Sequence, residues 1–179
     1  MSVALILAVF AALPAQAAPA QAGPASDPLA PAASGMLQCY APDAAKHVCQ
    51  SLAGYRKRPD GSYDNAATIM LSPSPLVIME TVTPVTVDAG AVCGAIRTQD
   101  IDSAVISDTG QTLSDSDAAT ARSQIATEMA PLIGKRICTT YVADGAQLVA
   151  KATIDGEAQP AMDQKVIWVA PTDGFHVGP

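Results

Sequence analysis

Residues 47–71, HVCQSLAGYRKRPDGSYDNAATIML, predict a β-hairpin and set the expectation for the whole fold. Pro59-Asp60-Gly61 is a turn signal, because proline presets φ and glycine adopts positive φ without steric cost. Tyr55 and Tyr63 flank this turn at similar distances along the chain. We therefore expect the two tyrosines to be cross-strand neighbours in an antiparallel pair.

The predicted tip of this hairpin carries Arg56, Lys57 and Arg58, a local positive cluster in an acidic chain. One interpretation is a solvated turn whose charges protect an edge strand from pairing with other chains. The alternative is a docking tip for an acidic partner or an anionic glycan. These three residues are our candidate binding residues.

Further strands are predicted after this hairpin, in segments rich in β-branched residues. Residues 67–71, 76–82 and 85–96 predict three short strands separated by prolines, with a turn at residues 88–90. Near the C-terminus, Asp144-Gly145 predicts another hairpin. The apolar segment 165–171 predicts a central strand in which Trp168 anchors the core.

One clear helix is predicted within SDAATARSQIATEMAPLIGK, residues 116–135, where apolar residues recur at spacings of three and four. Ser114 or Ser116 is the expected N-cap, and Pro131 and Gly134 end the helix. We expect its apolar stripe to cover a sheet. The predicted fold class is α+β: a mostly antiparallel sheet of hairpins, covered by one amphipathic helix and braced by two disulfides.

The N-terminal region predicts export. An apolar run from Val3 to Leu13, followed by Ala15-Gln16-Ala17, is typical of a secretory signal, so we assign residues 1–17 to a signal peptide. Residues 18–35 are rich in alanine and proline and predict a disordered spacer. Residues 36–179 then form a single domain, in a protein that is periplasmic or secreted.

Four cysteines in an exported chain predict two disulfides. Three pairings are possible, and we favour Cys39–Cys49 and Cys93–Cys138. The first closes a short loop, and the second ties two strand-like segments together. A metal site built from Cys39, His47 and Cys49 is the alternative, but the spacing of these residues is not that of known zinc sites, and we predict no metal.

Net charge and composition limit the possible partners. The formal charge is −7 at pH 7, which argues against nucleic acid, because that partner requires clustered lysine and arginine. No segment after residue 17 is apolar enough to predict a membrane span. The acidic region 100–117 lacks the ligand spacing of a calcium loop. No cofactor motif is present, and an envelope protein or a glycan is the expected partner.

No catalytic motif is recognisable in the chain. We therefore predict a non-enzymatic binding or interaction module of the cell envelope, which binds a protein, a glycan or a small molecule. The alternative is a small hydrolase or isomerase using carboxylate or histidine chemistry. Glu80, His47 and His176 are its candidate residues, and a cleft lined by one of them would favour it.

Overall fold

The computed structural model describes residues 27–179, in which antiparallel strands predominate. The elements, in chain order, are β1 (Leu37–Tyr40), β2 (Val48–Cys49), β3 (Ser51–Lys57), β4 (Tyr63–Pro73), β5 (Leu76–Asp88), β6 (Ala91–Ala95), α1 (Thr98–Asp102), β7 (Val105–Asp108), β8 (Gln111–Thr112), α2 (Asp115–Met129), β9 (Arg136–Asp144), β10 (Gln147–Ile154), β11 (Glu157–Ala158), β12 (Gln164–Val169) and β13 (His176–Val177). Within residues 27–179, three short 3-10 helices accompany them, at Ala30–Ser34, Pro160–Met162 and Pro171–Asp173.

Eight of these strands close into an antiparallel barrel. Its order is β4-β3-β1-β12-β10-β9-β6-β5, and β5 pairs back onto β4 to complete the ring. The closing pair is long, running from Tyr63 opposite Val85 to Pro73 opposite Leu76. Strands β7 and β8 extend the sheet beyond β5, and β11 adds to β10. The predicted α+β fold class is therefore wrong, because the sheet curls onto itself rather than lying under a helix.

Small side chains occupy many inward positions of the barrel. Along β4, β3 and β10, alternate residues point inward, and Ala53, Ala67, Ala150 and Ala152 are among them. Ala53, Ala150 and Ala152 are buried. An eight-stranded barrel has an interior that side chains can just fill, so small residues at these positions leave space inside.

One end of the barrel is closed by the segment before β1, and we call it the closed end. Leu29 is 1% exposed and packs in a core cluster with Tyr63, Val85 and Val92. We call this segment, residues 27–35, the plug. Its Asp27 accepts a 2.7 Å hydrogen bond from the Tyr63 hydroxyl, which strengthens the contact with the barrel. The sequence assigns residues 27–35 to the spacer, whereas the structure places them against the barrel. The rest of that spacer and the signal peptide lie outside the described residues.

The other end, which we call the helical end, carries the insertion between β6 and β9. Ser114 caps α2 as expected, its hydroxyl accepting a 3.3 Å hydrogen bond from the Asp117 amide. Along α2, however, Ala118 is the one buried residue. The prediction that its apolar stripe covers a sheet is wrong. The helix contacts α1 and β7, and the half-buried Ile125 and Met129 border the barrel interior instead.

Both predicted disulfides are present. Cys93 and Cys138 face each other directly across β6 and β9, so their bond clips two barrel strands. Cys39 and Cys49 join β1 to β2 on the outside of the barrel. There they form a second small core with Val169, against which Phe175 of the C-terminal segment packs.

The predicted hairpins are largely confirmed, but one register is wrong. Turns follow β3, β9 and β5 where the sequence places them. Tyr55, however, pairs with Asn65, and Tyr63 pairs with Lys57. Pro84 lies inside β5 rather than between two strands. The two tyrosines still share the inward face of the hairpin, which matters for the site described next.

Candidate functional site

A cavity of about 460 Å³ occupies the barrel interior between the closed end and the helical end. Its walls are mainly apolar or small side chains of β4, β5, β6 and β9, supplemented by α1 and α2. The aliphatic residues Ile69, Met79 and Ile137 lie on these walls, as do Thr81 and Thr139. A cavity of this size lies within the range of small-molecule sites, which is roughly 300–1,000 Å³.

A polar cluster lies at the closed end of this cavity. Gln38, on β1, is 0% exposed, and its side-chain oxygen accepts hydrogen bonds from three tyrosine hydroxyls. The distances to Oε1 are 2.9 Å from Tyr40, 2.7 Å from Tyr55 and 3.1 Å from Tyr141. The hydroxyls of Tyr40 and Tyr141 also lie 2.7 Å apart. Tyr55 and Tyr141 pack against the core cluster of Leu29, which places the polar cluster beside the plug.

Burial keeps the phenols of Tyr40 and Tyr55 neutral. It is the main cause that raises the pKa of Tyr40 and of Tyr55 well above the ordinary value, and the neighbouring tyrosines add to the increase for Tyr40. A phenolate in this place would lose its hydration without gaining a cation. Tyr40 and Tyr55 therefore present uncharged hydroxyl groups to the cavity at physiological pH.

The helical end of the cavity holds its ionised groups. Asp100 of α1 is 5% exposed and forms a two-pronged ion pair with Arg97, with 3.0 Å between Arg97 Nε and Asp100 Oδ2. The Asp100 carboxylate raises the pKa of the Arg97 guanidinium in return. Glu128 of α2 is exposed and also borders the cavity. No lysine, arginine or histidine is among the described residues that line it.

Two hydrogen bonds made by the insertion between β6 and β9 stabilise the helical end. The Arg122 Nε of α2 donates a 2.8 Å hydrogen bond to the backbone oxygen of Ala104. Thr81 Oγ1, on the barrel wall, donates a 3.2 Å hydrogen bond to the backbone oxygen of Asp100. The first bond joins α2 to the segment between α1 and β7, and the second joins α1 to the barrel strand β5.

The candidate binding residues of the first hairpin lie away from the cavity. Arg56 donates a 2.8 Å hydrogen bond to Asp64 Oδ2, and Arg58 pairs with the other oxygen of the same carboxylate. The Lys57 ammonium lies 5.6 Å from the centroid of the Tyr63 ring. Asp64 thus offsets part of the positive charge at the tip. Docking of an acidic partner or a glycan there stays a prediction.

The candidate catalytic residues do not meet in the cavity. His47 and His176 lie next to each other on the outside of the barrel, where the His176 amide donates to the His47 backbone oxygen at 3.1 Å. The His47 ring stacks on Phe175 at 4.9 Å, and its Nδ1 lies 2.7 Å from the backbone oxygen of Asp173. Glu80 is exposed on the outward face of β5.

The disulfide removes the thiolate ligands of the alternative metal site. Cys39 and Cys49 are bonded to each other, so neither offers a thiolate beside His47. Within residues 27–179, no three histidine, cysteine, aspartate or glutamate side chains are grouped as a metal site would require.

Sequence reasoning missed the polar cluster, although part of its signal was visible. Gln38 and Tyr40 alternate along β1, so both point to the same face. Tyr141 joins them from a position 101 residues away from Tyr40. A polar side chain at every second position of an apolar strand is the signal that points to a lined interior.

Comparison with known proteins leaves the site to be interpreted from its geometry. No protein family, curated protein or solved structure matches this chain. In the part of the chain that the structure describes, no helix combines the length and the hydropathy of a membrane-crossing segment.

Proposed function

We propose that this protein is an exported, disulfide-stabilised binding protein that holds a small, mainly apolar molecule inside its barrel. The observation that carries the proposal is the cavity of about 460 Å³, with apolar walls and a few convergent polar groups at one end. That combination is the usual composition of a ligand site, in which the apolar area supplies affinity and the polar groups fix orientation.

The polar cluster supports binding rather than folding as the purpose of the cavity. The Asn65 Oδ1 atom, which lines the cavity opposite Tyr55, and the Gln38 amide nitrogen are enclosed and have no hydrogen-bond partner among the described residues. Leaving a buried donor unpaired costs about 1–3 kcal/mol, so aliphatic side chains here would give a more stable barrel. Unpaired buried polar groups in a native protein call for a functional reason, and recognition of a ligand is one.

Export is the second part of the proposal. The two disulfides support it, because such bonds persist mainly in oxidising compartments. The signal-like segment at residues 1–17 agrees with this location. In the periplasm or outside the cell, a closed barrel would carry or sequester a molecule that water dissolves poorly.

Fluorescence of N-phenyl-1-naphthylamine, a neutral probe that brightens in apolar surroundings, tests the proposal directly. We expect saturable binding at one site per chain. Ala67 faces the cavity, so Ala67→Phe should fill part of it and weaken binding at least tenfold. Ala66 is its exposed neighbour on the outward face of β4, so Ala66→Phe is the matched control and should bind as the wild type does.

Circular dichroism and thermal unfolding of both variants show whether the barrel remains folded. Absence of saturable binding by the wild-type protein, or equal binding by the folded Ala67→Phe and Ala66→Phe variants, would contradict a ligand site in the cavity.

A further inference from the structure

The hydrogen bonds at the closed end determine which kind of polar group it can still bind. Tyr55 and Tyr40 donate to Gln38 Oε1 at 2.7 and 2.9 Å, and these two bonds use both lone pairs of that oxygen. The Tyr141 proton has two acceptors within reach, Gln38 Oε1 at 3.1 Å and the Tyr40 oxygen at 2.7 Å, and stays within the cluster with either one. All three hydroxyl protons are then engaged. Toward the cavity, the free capacity of the three tyrosine hydroxyls therefore consists of oxygen lone pairs, which accept hydrogen bonds. Gln38, whose amide nitrogen is an unpaired donor, is not among the cavity-lining residues.

Asn65 independently adds an acceptor to the same cavity. Its side chain lines the cavity from β4, where Asn65 is paired with Tyr55. The Asn65 Oδ1 atom is enclosed and has no hydrogen-bond partner among the described residues. An enclosed carbonyl oxygen without a donor is costly, and a donor on a bound molecule would remove that cost.

The charges of the residues that line the cavity further restrict the class of molecule that it can bind. The described lining residues include no cation that could neutralise an acid, and the carboxylates of Asp100 and Glu128 would repel one. An ammonium group at the closed end would also be unpaired, because both carboxylates belong to the helices at the other end. Burial of an unpaired charge of either sign is strongly unfavourable.

We propose that the cavity selects a neutral alcohol: an apolar body with a hydroxyl group that donates to the tyrosine oxygens or to Asn65. This inference rests on the proposed function, since it names the class of ligand for the same cavity. The apolar body would lie along Ile69, Met79 and Ile137, with its far end beneath Ile125 of α2. The hydroxyl group orients the molecule, because acceptors without a donor are at the closed end.

Displacement of N-phenyl-1-naphthylamine by matched compounds tests this inference. The probes are 1-decanol, methyl nonyl ether, decanoate and decylammonium, which have similar length and differ in the polar end. We expect 1-decanol to bind about five- to tenfold more tightly than the ether, which is the effect of one hydrogen-bond donor. Decanoate and decylammonium should bind more weakly than 1-decanol.

Two substitutions separate recognition from simple solubility. Tyr55→Phe removes one hydroxyl, and Asn65→Leu removes the unpaired acceptor while keeping a similar volume. In both variants the preference for 1-decanol over the ether should fall at least threefold relative to the wild type. Differences in hydration between the two probes cancel, since the same pair is compared in each protein.

The outcomes distinguish this inference from the function on which it rests. If neither N-phenyl-1-naphthylamine nor any alkyl probe binds the folded wild-type protein, both the proposed function and the alcohol inference are wrong. If the fluorescent probe binds but decanoate or the ether is preferred, the alcohol inference alone is overturned. The same conclusion follows if the preference for 1-decanol is unchanged in both variants.

Discussion

Replacement of Leu29 by alanine tests whether the N-terminal plug belongs to the folded domain. Leu29 is 1% exposed and packs in the core cluster with Tyr63, Val85 and Val92. The substitution removes three buried carbon atoms, worth about 0.8 kcal/mol each by transfer. The space left at the closed end adds to the loss, and buried leucine-to-alanine changes cost about 2–5 kcal/mol. We therefore expect the free energy of unfolding to fall by about 3 kcal/mol.

Urea denaturation, followed by circular dichroism and by the fluorescence of Trp168, measures this change. Leu71→Ala is the matched control, because Leu71 is 42% exposed and should lose well under about 1 kcal/mol. If Leu29→Ala costs no more than Leu71→Ala, the plug does not contribute to the barrel. Residues 27–35 would then be a spacer, as the sequence analysis expected.

The remaining predictions concern the second disulfide and two ionisable groups. Replacing both Cys93 and Cys138 by serine should lower the free energy of unfolding by about 4 kcal/mol in the chain-entropy model, since their sequence separation is 45. Urea denaturation of the variant measures this loss, and an unchanged midpoint would contradict it. Asp27 raises the pKa of Tyr63 to about 12, so the stability from this group is complete below about pH 10 and is lost as the pH rises to about 12. Tyr63→Phe should reduce that alkaline loss in denaturation between pH 9 and pH 12, and an identical pH profile would exclude the mechanism. Arg58, and more weakly Arg56, lowers the pKa of Asp64 against the effect of burial. The stability from Asp64 is therefore present above about pH 4 and lost as the pH falls through the lower native pKa. Asp64→Asn should reduce this loss of stability at acid pH, measured by the same denaturation, and an unaltered loss would count against the mechanism.

Local features of this chain follow from its sequence, because their causes are local. Pro59-Asp60-Gly61 and Asp144-Gly145 produce the expected turns, and the Ser114 hydroxyl caps α2. The disulfides follow from an even number of cysteines at positions that turns and strands bring together. Each of these features depends on a few neighbouring residues, or on covalent chemistry.

Closure of the barrel is not a local property. The strand pattern of alternating residues is the same in an open sheet and in a closed one, so nothing within β4 or β5 alone indicates that they complete a ring. The pairing of β1 with β12 joins residues about as far apart as Gln38 and Trp168. The prediction that the α2 stripe covers a sheet is wrong for a similar reason, since periodicity shows that a face is apolar but not what it contacts.

The candidate site could not be predicted from the sequence, because it depends on closure of the barrel. Gln38 and Tyr141 are separated by 103 residues, yet their side chains share a hydrogen bond. The hairpin turn predicts Tyr55 and Tyr63 as a cross-strand pair, whereas it is their shared inward face that places both side chains in the interior. In a closed barrel, the small inward residues and the inward tyrosines together define a cavity with one polar end.

Methyl chemical shifts in the presence of 1-decanol test the central claim, that the barrel interior is a ligand site. Ile69, Met79 and Ile125 line the cavity, whereas Val82 and Val142 are exposed on the outward face. In a two-dimensional carbon–proton spectrum, we expect the methyl groups of the first three residues to shift in a saturable way while those of the two valines do not. Shifts confined to the outward valines, or no saturable shift at any cavity methyl group, would contradict the account.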